Sequence, residues 1–171
     1  ARLGAIIAGE LEGPDILAVQ EIMAESPVLE GGQIPGDAAY RVLNTAILTA
    51  GGPQYAFREI PPLAHRDGGM AGANIRVGLL FDPARVHFPD RGNAGPEDGT
   101  AIRLNGGKPS LTLNPGRIAP AHPAFTGDDR HHWAPSRKVL AAEFEVGNQR
   151  LFVIVCHFKS MRSMTRREED Y

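Results

Sequence analysis

Two β-prone apolar runs at 139–146 and 150–158 are joined through Gly147-Asn148, and this arrangement restricts the fold more than any other feature of the chain. Glycine and asparagine tolerate the positive φ of a tight hairpin turn, so the two runs are expected to close as an antiparallel pair. The second run, LFVIVCHF, carries the polar residue His157 near its end. The same design occurs near the N-terminus, where Ile16, Leu17, Ala18 and Val19 lead into Gln20 and Glu21. A buried strand that delivers a polar residue at its tip is a way of lining a cleft, and in a sandwich whose strand tips share one end Glu21 and His157 would project into the same one. Alone, such residues are more often a solvated strand end and a satisfied core or boundary histidine.

The remaining elements follow from periodicity. Leu3, Ile6, Ile7 and Leu11 recur with helical spacing until Gly13-Pro14 stops them. A second helix is expected over 37–50, with Tyr40, Val42, Leu43, Ile47 and Leu48 on roughly one face and Gly51-Gly52-Pro53 as terminator. Short strands follow at 55–60 and 74–81, separated by the loop PPLAHRDGGMAGA, and 85–88 reads as a continuation beyond Asp82-Pro83. Residues 89–135 are dominated by Gly, Pro, Asn and Asp and form a long irregular loop region, which needs short strands such as 110–113 to hold it down. There is no internal repeat. With 171 residues, of which 42% are hydrophobic, the chain can close one core, so residues 1–171 are expected to form one domain or part of one.

A net charge of −2 excludes a globally basic nucleic-acid binder, so any contact with a polyanion must be local. Lys159, Arg162, Arg166 and Arg167 do gather, but Glu168, Glu169 and Asp170 follow at once, as on a solvated charged helix. The single cysteine, Cys156, cannot form an intrachain disulfide and reads as a small buried hydrophobe with no chemistry. No apolar stretch approaches the ~20 residues that span a bilayer, and the first residues lack the layout of a signal peptide. The chain begins without methionine, so an export signal can precede it; compartment stays open, with a secreted or periplasmic bacterial protein among the expectations. His131-His132 is not a zinc site, because neighbours on extended chain point to opposite faces and no third ligand has suitable spacing. The loop at 67–72 leads into Asn74 and Arg76, and its glycines permit either close approach to a ligand or a plain turn.

Several stretches together resemble one family. PDILAVQEI resembles a strand ending in Gln-Glu, GANIRVGLLFDPARV a central strand followed by an Asp-Pro turn, and SRKVLAAEFEVGNQRLFVIVCHFKS a Ser-Arg hairpin leading to a histidine, in the order found in the endonuclease/exonuclease/phosphatase superfamily typified by pancreatic deoxyribonuclease. The string His157-Phe158-Lys159-Ser160, with LNPGRIAPAHPAF before it, resembles a bacterial nuclease branch. That branch usually has asparagine before the histidine; Cys156 stands there instead, and any hydrogen bond made by the asparagine side chain is lost.

The resemblance implies an α/β (α+β) fold, a four-layered α/β/β/α sandwich, incomplete in this chain. It implies a divalent-metal-dependent hydrolase of phosphodiesters, DNA or RNA first among them, with a phosphomonoesterase of inositides or phospholipid headgroups, or a non-catalytic truncated interaction module, as alternatives. Glu21 takes the place of the carboxylate ligand of Mg2+ or Mn2+, which fits the preference of hard cations for carboxylate oxygen and water. His157 takes the place of the histidine at the scissile phosphate, and Arg137 that of the arginine whose fork binds phosphate oxygens. Asn74, Arg76 and Lys159 are the further candidates for contact with substrate. The family's first-strand asparagine, its Asp-x-Asn strand and its closing Asp-His pair cannot be placed in this sequence, so about 60% of a complete domain is expected here. A sandwich without those strands is expected to expose sheet edges and to self-associate.

Overall fold

A computed structural model of the chain describes residues 1–23, 36–63, 75–118 and 139–157. The first element, α1, is α-helical over Arg2–Ala5 and continues as a π-helix over Ile6–Glu10. It is followed by β1 (Ile16–Ile22), α2 (Asp37–Thr49), β2 (Ala56–Glu59) and β3 (Arg76–Phe81). Then come β4 (Ile102–Asn105), β5 (Lys108–Leu111), β6 (Gly116–Arg117), β7 (Leu140–Val146) and β8 (Gln149–Val155). The strands form sheets of order β1-β3-β2, β4-β5 and β6-β7-β8, with every ladder between them antiparallel. The fold is therefore of the α+β kind.

Alternation along the central strands decides how the layers stack. Val77, Leu79 and Phe81 of β3 share one core with Leu140, Ala142 and Phe144 of β7, which places the first and third sheets face to face. Phe144 meets Phe81 and Phe88 edge-on, with ring centroids 5.5 and 5.1 Å away. Truncating a ring this enclosed to alanine costs about 3–5 kcal/mol. The opposite face of β3 presents Leu80, which joins Ile7, Tyr40, Ile47 and Tyr55 in a second core beneath the helices. The helices approach closely because two side chains are missing. A Cβ on Gly78 would lie 1.8 Å from the Tyr40 hydroxyl oxygen, and one on Gly4 would lie 2.4 Å from the Ala46 carbonyl oxygen.

Both helices and the hairpin expected from the sequence are present, and Gly147 takes the positive φ that its turn requires. Other details differ. Val42 is 71% exposed, because at 100° per residue it lies about 200° around α2 from Tyr40 and faces water. Leu3 and Leu11 are exposed as well, and Ile7 is the residue of α1 that enters the core. Strand β1 is half-exposed rather than buried, since among the described residues it has β3 as its neighbour on one side and no strand on the other. Residues 85–88 do not continue β3: Asp82 turns the chain by accepting the Val86 amide on its carbonyl, and His87 then pairs with Glu145 of β7. This segment crosses from one sheet to the other. The first part of the 89–135 stretch carries the hairpin β4–β5 and the short strand β6. Among the described residues no helix is long and apolar enough to cross a membrane.

Candidate active site

The sheet brings Glu21 to the end of an edge strand on a deformed backbone. Val19 pairs with Gly78 and Ile22 with Arg76, so Gln20 and Glu21 together lie opposite Val77 alone. This is a β-bulge, and Glu21 sits in it at φ 58°. A left-handed conformation costs a residue with a Cβ about 1–2 kcal/mol, and such strain gathers where a side chain must be re-aimed. On the facing sheet, β8 ends at Val155, and Cys156 and His157 follow directly. The Gln20 side-chain amide donates to the Cys156 carbonyl at 2.6 Å, tying residues 136 positions apart.

Across that tie His157 Nε2 lies 3.6 Å from Glu21 Oε1, with the imidazole 14% exposed and the carboxylate 69% exposed. The distance exceeds that of a hydrogen bond and suits an ion pair when the ring is protonated. An exposed carboxylate can accept a hard cation that keeps most of its waters, and a shielded imidazole beside it can hold or pass a proton. Among the described residues no three His, Cys, Asp or Glu side chains gather as a metal-binding group, so Glu21 and His157 are a pair and not a closed cage. Cys156 is half-buried and carries no disulfide, and so is less enclosed than its apolar run implied.

Arg76 does not join this pair. Its neighbour Val77 faces the inter-sheet core, so Arg76 faces the helices, where it is 2% exposed. Its Nη1 lies 3.2 Å from Glu59 Oε1, which also accepts the Gly36 amide at the start of α2 at 3.0 Å. Burial pushes the Glu59 carboxyl above its usual range, and the Arg76 charge and the Gly36 bond reverse only part of that. Burial likewise raises the nearby Tyr40 hydroxyl, with Glu59 adding to it. Arg76 is thus placed to anchor α2 to the first sheet. Arg137, Asn74 and Lys159 lie outside the described residues.

Two features of the site region were not legible in the sequence. The bulge has no local mark, since a left-handed position usually carries glycine or asparagine and here carries Glu21. The Gln20 amide bond depends on a partner in another sheet. An open groove between α2 and β2, lined among others by Arg41, Asn44, Tyr55 and Phe57, lies at the opposite edge of the first sheet, and none of its lining residues is acidic. No family model, curated protein or solved structure matches the chain.

Proposed function

We propose that this chain is part of a divalent-metal-dependent phosphodiester hydrolase acting on DNA or RNA, built on a four-layered α/β/β/α sandwich of the deoxyribonuclease type. The observation that carries the reading is the meeting of Glu21 and His157 from two different sheets, with 3.6 Å between Oε1 and Nε2. A carboxylate on strained backbone beside a shielded imidazole is a costly arrangement for a merely structural contact. The stretches that resemble the endonuclease/exonuclease/phosphatase superfamily support it independently, because they select the same two residues from sequence.

The donor chemistry fits Mg2+ or Mn2+. The Glu21 oxygens are largely exposed, and such cations bind through one or two carboxylates with water completing their coordination. Bound there, the cation would supply the charge that polarises a phosphoryl oxygen. Glu21 would hold it, and the bulge would fix where that carboxylate stands. His157 Nε2 faces Glu21, so it is the atom positioned to hold a proton near the scissile phosphate or donate a hydrogen bond to its oxygens. Arg137 would bind non-bridging phosphate oxygens through its fork, and Asn74 and Lys159 would contact the flanking backbone.

The test is Mg2+- and Mn2+-dependent cleavage of plasmid DNA and of RNA by the full-length protein that contains this chain, as wild type, Glu21→Ala and His157→Ala. Metal-dependent cleavage should fall at least about 100-fold in each variant. Cleavage that survives both substitutions, or no cleavage of either substrate by the wild type, would overturn the proposal.

A second reading, a non-catalytic module that self-associates, is favoured by β8, which among the described residues has no strand beyond it and where Leu151 and Ile154 are exposed. Edge strands with apolar side chains invite pairing with another chain. Concentration-dependent oligomers in sedimentation experiments, lost on Ile154→Lys, would support that reading, and a monomer at all concentrations would remove it.

A further inference from the structure

Face-to-face sheets are held about 10 Å apart by side-chain packing, and no backbone ladder links their tips. The separation of Glu21 from His157 therefore needs its own determinant. In a regular strand Gln20 and Glu21 would point to opposite faces. In the bulge they do not: the Gln20 amide reaches the Cys156 carbonyl at 2.6 Å, and the Glu21 carboxylate comes within 3.6 Å of His157 Nε2. Each partner of the amide bond immediately precedes one member of the pair, so a rigid peptide unit transmits the constraint on both sides.

From this we infer that Gln20 is a positioning residue: its amide latches the tip of β1 to the tip of β8 and thereby holds His157 against Glu21. The inference rests on the reading of Glu21 and His157 as the reacting pair, and it adds a residue that touches neither metal nor phosphate. Side-chain chemistry restricts the choice at this position. Asparagine is one methylene shorter, and glutamate would set an anionic acceptor against a carbonyl oxygen. Methionine keeps the length without the donor, whereas lysine restores a donor at comparable reach.

The decisive experiment compares the wild type with Gln20→Met and Gln20→Lys by NMR, following the Overhauser contact between the Glu21 γ protons and the His157 ring protons in the metal-free protein. The contact should be present in the wild type, lost in Gln20→Met and regained in Gln20→Lys. Because Gln20 is exposed, the thermal midpoint should move by no more than about 4 °C in either variant. In the cleavage assay kcat should fall about tenfold in Gln20→Met with KM unchanged, and recover in Gln20→Lys. A contact of wild-type intensity in Gln20→Met, or its absence from the wild type, would overturn the latch. Failure of the wild type to cleave either nucleic acid would remove the proposed activity and leave the NMR result to decide the latch by itself.

Discussion

The outer face of the second sandwich sheet and the open edge at Glu21 each contain a glutamate facing basic or titratable partners, and they are built in opposite ways. Glu143 is completely buried, and its carboxylate accepts both Arg91 nitrogens at 2.9 and 3.1 Å and the Leu111 amide at 2.7 Å. Arg150 adds a fourth contact at 3.4 Å, and the Asn114 side chain bonds the Glu143 backbone in both directions. Burial alone would push this carboxyl up; the bonds from Arg91 and Leu111, with the charges of both arginines, more than reverse it and leave it below the usual range. Every donor here belongs to a segment that must be fastened, with Leu111 on β5, Arg91 ahead of β4 and Arg150 bonded to the Pro109 carbonyl. Glu21 has strained backbone, high exposure and, among the described residues, one loose contact. The difference separates a carboxylate whose oxygens are saturated to hold a structure from one that, among the described residues, stays largely exposed.

The largest expected effect tests the saturated side. Glu143→Ala leaves two arginines and an amide without their common acceptor and should lower unfolding free energy by about 3–5 kcal/mol in urea titrations. A loss below about 1 kcal/mol would break the contrast. The sign of the pH dependence follows from the depressed carboxyl: its contribution is full above the ordinary glutamate range and is lost as pH falls through the folded value. Glu143→Gln should remove that acid-side loss. Glu59, raised by burial, works the other way, contributing below the ordinary range and losing the contribution as pH rises through its elevated value.

Next in size is the open side. Glu21→Ala should abolish metal-dependent cleavage while leaving the urea midpoint within error, so that activity and stability part company. Glu21→Gly sharpens this further, because glycine takes φ 58° without cost and should raise stability by up to about 1 kcal/mol as activity disappears. A destabilised Glu21→Gly would mean that the side chain, and not the backbone, is what the fold needs there. The smallest effect is a control on the helix face: Val42→Ala, at an exposed position, should change stability by less than about 0.5 kcal/mol.

Much of the fold was readable because local rules decide it. Apolar periodicity with Gly13-Pro14 and Gly51-Gly52-Pro53 marked both helices, and Gly147-Asn148 fixed the register of β7 against β8. The orientation of α2 was read only in part: Tyr40 and Ile47 face the core as expected, and Val42 and Leu48 are exposed. The crossover at 85–88 was missed, since a β-prone run looks the same whether it extends a strand or bridges two sheets. The whole Glu143 cluster was missed as well, because Arg91, Leu111 and Arg150 reach it from separate parts of the chain.

The sequence by itself determined the two helices and the strands β1, β2, β3, β7 and β8, which turn closes the last hairpin, and that Glu21 and His157 each end an apolar run. Those properties depend on side-chain shape and on neighbours a few positions away. Only the tertiary structure decided that the two residues meet, that Glu21 stands on a bulge, and that Arg76 turns to the helices and pairs with Glu59. Such outcomes depend on which sheets face each other and on which edge a strand occupies. Packing between distant segments sets them, and no local pattern of residues records it.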